Sequence, residues 1–123
     1  MSLNIDDILR ADDTEIEAVP CPEWGGTVFV RTITADMRDR LETEFAGLGD
    51  KVGIRAAMVA ASLCDEQGTF LCPTPAEVQA LGKKSAKPMD RLADAVMRLS
   101  KLSDAEIEKL AKNLPPTADD GCG

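Results

Sequence analysis

Between Val52 and Cys64 the only charge is Arg55, and every position from Ala56 to Ala61 is apolar. The segment reads as a helix from about Asp50 to Cys64. A helix apolar on every side is stable only with other elements packed around it. It is therefore expected as the central helix, and the remaining sequence must supply its walls. At 123 residues the chain holds enough material for one compact domain with a single core.

One wall is extended. Thr14 to Cys21 alternates polar and apolar residues, and Thr27 to Ile33 is rich in β-branched and aromatic side chains. Gly25-Gly26 between them supplies the positive φ angles of a two-residue hairpin turn, which would set Trp24 opposite Thr27 and Val19 opposite Thr32. One ribbon face then carries Ile16, Ala18, Pro20, Pro22, Trp24, Phe29, Arg31 and Ile33. The other carries Glu17, Val19, Cys21, Glu23, Val28, Val30 and Thr32, so neither face is fully polar. Pro20 and Pro22 cannot donate to a ladder, which makes the first strand an edge.

The other walls are helical. Ile5, Ile8 and Leu9 give a short N-terminal helix one apolar face, with Asp6 and Asp7 in its first turn. Thr34 caps a helix whose stripe is Met37, Leu41, Phe45 and Leu48, ended by Gly47 and Gly49. Asp65 to Gly68 forms a turn and Thr69 to Leu71 a short extended piece. Thr74-Pro75-Ala76-Glu77 is a capping box with proline at the first helical position, and that helix ends at Gly82. Ser85 opens a helix with the stripe Met89, Leu92, Ala93, Val96 and Met97. Ser103 to Glu106 is a second capping box, opening a last helix with Ile107, Leu110 and Ala111 inward, stopped by Pro115-Pro116. The fold class expected is α+β, mainly α: an N-terminal short helix and a β-hairpin packed on a bundle of about four to five helices. The single domain spans residues 1–114, with the hairpin at 14–33, the helical body at 34–114 and a disordered tail at 115–123.

Charge and cysteine usage narrow the functional classes. Twenty-two acids against 14 bases give −8, which argues against nucleic acid or an anionic membrane as the main ligand. The acids are concentrated early: residues 1–50 hold 12 acids and four bases. No run is long and apolar enough to span a membrane, and no signal peptide is visible, so a cytoplasmic location is expected. Histidine is absent, which removes His-based triads, Cys–His dyads and imidazole zinc sites. Cys21, Cys64, Cys72 and Cys122 form no C-x-x-C pair and read as small apolar residues in a reducing compartment, although Cys64 and Cys72 flank a short turn.

Motifs with catalytic overtones do not hold together. In Gly47-Leu48-Gly49-Asp50-Lys51-Val52-Gly53 the third glycine is one place late for a dinucleotide loop, and a helix precedes it. Gly82-Lys83-Lys84-Ser85 lacks the first glycine of a phosphate loop. Asp12 to Glu17 is rich in carboxylates without the order of an EF-hand, and Asp65 and Glu66 read as turn residues. The expectation is a protein with no enzymatic activity, cofactor or metal. Trp24 at the hairpin tip either folds back on the core or serves as an anchor for a partner.

The chain resembles the tail assembly chaperones of lambda-type long-tailed bacteriophages and prophages. The resemblance is carried by Ile8 to Asp13, by the hairpin from Val19 to Arg31, by Ala60 to Gly68, and by the late segment Leu102 to Asn113. It implies a non-enzymatic protein of the host cytoplasm that binds the tape measure protein and assists assembly of the tail tube protein around it. Homo-oligomers are compatible with that role. A holdase needs exposed apolar surface and a solubilising net charge. The hairpin would supply that surface, with Trp24, Val28 and Val30 at or near the partner contact. Two alternatives stand beside this reading. One is a structural or adaptor protein of the phage head–tail module. The other is a small prophage helix-turn-helix regulator, whose recognition helix would carry Lys87, Arg91 and Arg98.

Overall fold

The computed structural model describes residues 2–45, 53–103, 105 and 106. The expected stripe members Phe45 (its side chain) and Leu48, the glycines Gly47 and Gly49, and the residues of the last helix (Ile107, Leu110, Ala111) lie outside the described residues. So do Cys122, the Pro115-Pro116 stop and the 115–123 tail.

The chain is α+β and mainly α. Helix α1 (Ile5–Arg10) leads into strand β1 (Ile16–Cys21), a 3₁₀ turn (Pro22–Trp24) and strand β2 (Gly26–Arg31). Helix α2 (Ala35–Arg40) continues as a π turn (Leu41–Phe45). Then follow α3 (Ile54–Ser62), β3 (Leu63–Cys64), α4 (Pro75–Leu81) and α5 (Ala86–Ser100). The strands form one antiparallel sheet in the order β1-β2-β3, so β1 is an edge as its prolines require.

Helix α3 is the centre of the core. Ala56 to Ser62 are all buried, with Val59, Ala60 and Ala61 at zero exposure. Its alanines let neighbours approach closely. Packed around it are Met37 and Leu41 of the α2 segment, Val78 of α4, and Leu92, Ala93 and Val96 of α5, with Val19, Cys21 and Val30 of the sheet. Full burial of a side chain such as Leu92 or Val59 is worth about 1.5–3 kcal/mol.

The helix starts are largely where the sequence puts them. Thr34 Oγ1 accepts from Met37 N at 3.3 Å, and the Thr74–Glu77 box is closed in both directions at 3.2 and 2.8 Å. Ser103 and Glu106 make the same reciprocal pair. Ser85 sits at the N-cap of α5 without a side-chain cap bond.

Four features differ from expectation. The hairpin turn is not Gly25-Gly26: Cys21 pairs with Gly26 and Val19 with Val28, leaving Pro22 to Gly25 as a four-residue loop. Pro22 cannot donate to the ladder and its fixed φ suits a turn, so the chain leaves the strand at Cys21. Gly25 alone then takes the left-handed conformation, at φ 81°. Because the slip is two residues on each strand, residues 16–21 and 26–31 keep their expected faces, while Trp24, now in the loop, packs against the core instead of lying on the Phe29 face. Secondly, the central helix ends at Ser62, and Leu63–Cys64 crosses to pair with Val30 and Phe29 of β2. Ser62 makes the exchange possible: its hydroxyl accepts from Arg31 N at 3.1 Å and donates to Arg31 O. Thirdly, the central helix starts at Ile54 and not at about Asp50, because Gly53 before it is an extended N-cap with φ −75° and ψ 163°. Finally, α1 is not packed on the bundle: none of its residues is buried. Six residues form too short a helix to hold by themselves, and an Asn4–Asp7 capping box secures this one locally.

Candidate functional site

The sheet presents two unlike faces. Val19, Cys21, Val28 and Val30 turn toward α3 and α5 and belong to the core or pack against it. Two ion pairs clamp this side to α5. Arg91 donates to both carboxylate oxygens of Glu23 at 3.0 and 2.9 Å and to Pro20 O at 3.1 Å; Arg98 binds both oxygens of Glu17 at 2.9 and 3.0 Å. The Arg91 hydrogen bonds hold the Glu23 carboxyl down at about 2, from an ordinary 4.5. Reciprocally, the guanidinium is raised above its usual range. Both side chains keep over a third of their surface in water, so the pair acts as a geometric clasp more than an energetic one.

The opposite face is only partly covered. Arg31 lies across it, donating to Gly68 O and, at 3.1 Å, to Thr14 Oγ1, with its guanidinium carbon 4.8 Å from the Phe70 ring centroid. The Asp65–Thr69 turn that carries Gly68 is held by Asp65 Oδ1, which accepts from Gln67 N and Thr69 N, both at 2.9 Å. That oxygen is committed to the backbone of its own turn. Cys64 is buried beneath the turn, and burial pushes its thiol above the ordinary value, away from a reactive thiolate. Beyond Arg31 the face opens. Leu71 is 57 % exposed and stands between two shallow apolar grooves of about 370 Å³ each. One runs along Thr27, Val28 and Phe29 to Cys64; the other lies between Leu63, Pro73, Ala80 and Leu81. Ile16 adds exposed apolar surface at the far end.

The expected contact residues Trp24, Val28 and Val30 are covered to different degrees. Val30 has no exposed surface, and Val28 and Trp24 are half-buried against the core. Val30 lies in the core with Trp24 and Val28 packed against it, and Val28 also lines the groove beside Phe29. Residues better placed for contact are Phe29 and Leu71, with Ile16. Phe29 was legible as belonging to the face opposite Val28; which face would turn outward was not.

Among the described residues no group of three or more Cys, Asp or Glu is arranged to hold a metal ion. No helix among them is long and apolar enough to cross a membrane. Compared with family models, curated proteins and solved structures, the chain matches none.

Proposed function

We propose that this protein is a non-enzymatic polypeptide-binding chaperone of the phage tail assembly kind, which binds the tape measure protein and assists assembly of the tail tube. The observation that carries the reading is the open side of the sheet, where Ile16, Phe29 and Leu71 offer apolar surface to a partner on a chain of net charge −8. Apolar contact surface and a solubilising charge are the two physical requirements of a holdase. The regulator alternative loses support at α5. Two of the three cations it would direct at DNA, Arg91 and Arg98, are tied to Glu23 and Glu17, and the apolar stripe of the helix is buried in the core.

The test is co-expression with the tape measure protein from the same genome. Ile16→Glu with Leu71→Glu alters exposed positions, so the variant should fold with unchanged circular dichroism but leave the tape measure protein insoluble. Val30→Glu is no substitute, because it buries a charge in the core and unfolds the chain. A folded Ile16→Glu, Leu71→Glu variant that keeps the tape measure protein as soluble as the native chain does would overturn the reading.

A further inference from the structure

The open side of the sheet is apolar in its middle and acidic at its edges. Ile16 and Leu71 are exposed, and the groove that runs along Phe29 to Leu71 carries Asp65 and Glu66 on its wall. At the Ile16 end, Asp12 and Asp13 precede Thr14, whose hydroxyl accepts from Arg31 at 3.1 Å and lies 3.4 Å from Asp12 Oδ1. None of these four carboxylates forms an ion pair with a described residue. Asp13 and Glu66 are exposed. Arg31, which also lies on this face, is taken up by Gly68 O, Thr14 Oγ1 and the Phe70 ring. Such a rim repels an acidic partner and gives nothing to a neutral one, so charge complementarity selects the occupant. The second groove, across Leu71, has no such bias, since Glu77 and Lys84 both line it.

We infer, resting on the holdase reading above, that this face takes a cationic amphipathic helix of a client polypeptide. The apolar side of that helix lies on Ile16, Phe29 and Leu71, and its Lys or Arg side chains lie over Asp13 and Glu66. Rim charges govern the rate of association and its response to salt, while the apolar centre supplies affinity that salt does not screen. Binding therefore weakens as salt is raised without being abolished.

Fluorescence anisotropy with two labelled synthetic helices tests this on the full chain. One helix is built of Leu, Ala and Lys; the other has every Lys replaced by Glu. The native chain should bind the Lys helix at least about ten-fold more tightly than the Glu helix. Asp13→Asn with Glu66→Gln should weaken binding of the Lys helix about five-fold. Asp94, exposed on α5 behind the sheet, provides the control. Asp94→Lys changes the net charge by the same amount and should leave binding within about two-fold of native. Ile16→Ser with Leu71→Ser keeps the acids and should weaken binding at least as much as their removal does. Circular dichroism checks that all three variants, changed only at exposed positions, are folded. Equal binding of the two helices overturns the inference, as does no binding of the Lys helix. So does a loss in Asp94→Lys as large as in the Asp13, Glu66 pair, or native binding by the Ile16, Leu71 pair, which would mark bare ionic attraction. The co-expression test is separate: a client held by apolar contact alone stays soluble there and shows no preference for charge here.

Discussion

At the scale of single residues, two polar side chains hold the sheet in place by different physics. Ser62 is fully buried and serves both backbone groups of Arg31, acting as a strand partner where the helix ends and β3 has not begun. Ser62→Ala leaves a donor and an acceptor without partners, a loss of about 1–3 kcal/mol. Thermal melting should register it as a fall in Tm, while Ser62→Thr, which keeps the hydroxyl, should fall less. Glu23 works through charge. Its carboxyl is held at about 2 in the folded chain against 4.5 ordinarily, first by the Arg91 side-chain bonds and then by its own backbone N–H, with Lys87 adding a weaker attraction. The unfolded chain therefore takes up that proton at higher pH than the folded one. The stabilisation is complete above about pH 4.5 and is lost as pH falls through about 2. Across that window Tm should rise with pH, and Glu23→Gln should flatten the rise.

At the scale of elements, termini and turns show where sequence signals suffice. Helix α5 ends with Lys101 in the left-handed region at φ 54°, and Leu102 N reaches back to Met97 O at 3.0 Å. This is the position glycine favours, so Lys101→Gly should raise stability by about 0.5–1 kcal/mol in a denaturant titration. Gly68 is the converse. It has φ 88°, and a Cβ there would lie 2.7 Å from Ile16 Cδ1. That methyl is the tip of an exposed side chain and can turn aside, so Gly68→Ala should cost mainly the backbone strain, about 1–2 kcal/mol. The caps at Thr34, Thr74 and Ser103 were legible because each is a local exchange of hydrogen bonds. The buried centre at Ala56–Ala61 was legible because nothing but a core accepts it. The turn at Pro22–Gly25 was misread because two glycines outweighed the proline before them. Strand β3 was invisible because two residues carry no periodicity and the pairing comes from β2, far away in the sequence. The orientation of the hairpin was undecidable for a related reason: both faces are apolar. The choice depends on Arg91 and Arg98 of α5 meeting Glu23 and Glu17, which are contacts between distant segments.

At the scale of the whole molecule, the described chain divides into a body built on one packed core and an arm that takes no part in it. The core clusters residues from Val19 to Val96, and α1 contributes none of them. Stability should then be indifferent to the arm. Removing residues 2–12, while keeping Thr14 for Arg31, should change unfolding free energy by less than about 0.5 kcal/mol, the range of surface changes that touch no packed group. Amide exchange gives the same division more finely. Protection should approach the global value in α3, α5 and the β1–β2 ladder, and the α1 amides should exchange almost as fast as an unfolded peptide in dilute protein. The two expectations separate a helix that belongs to the fold from one that belongs to a contact. If truncation lowers Tm substantially, or α1 is protected in dilute protein, the arm is part of the monomer's packing. If instead its protection appears only as concentration rises, the apolar face of α1 is being buried by another molecule, and the free energy of that burial belongs to association instead of folding.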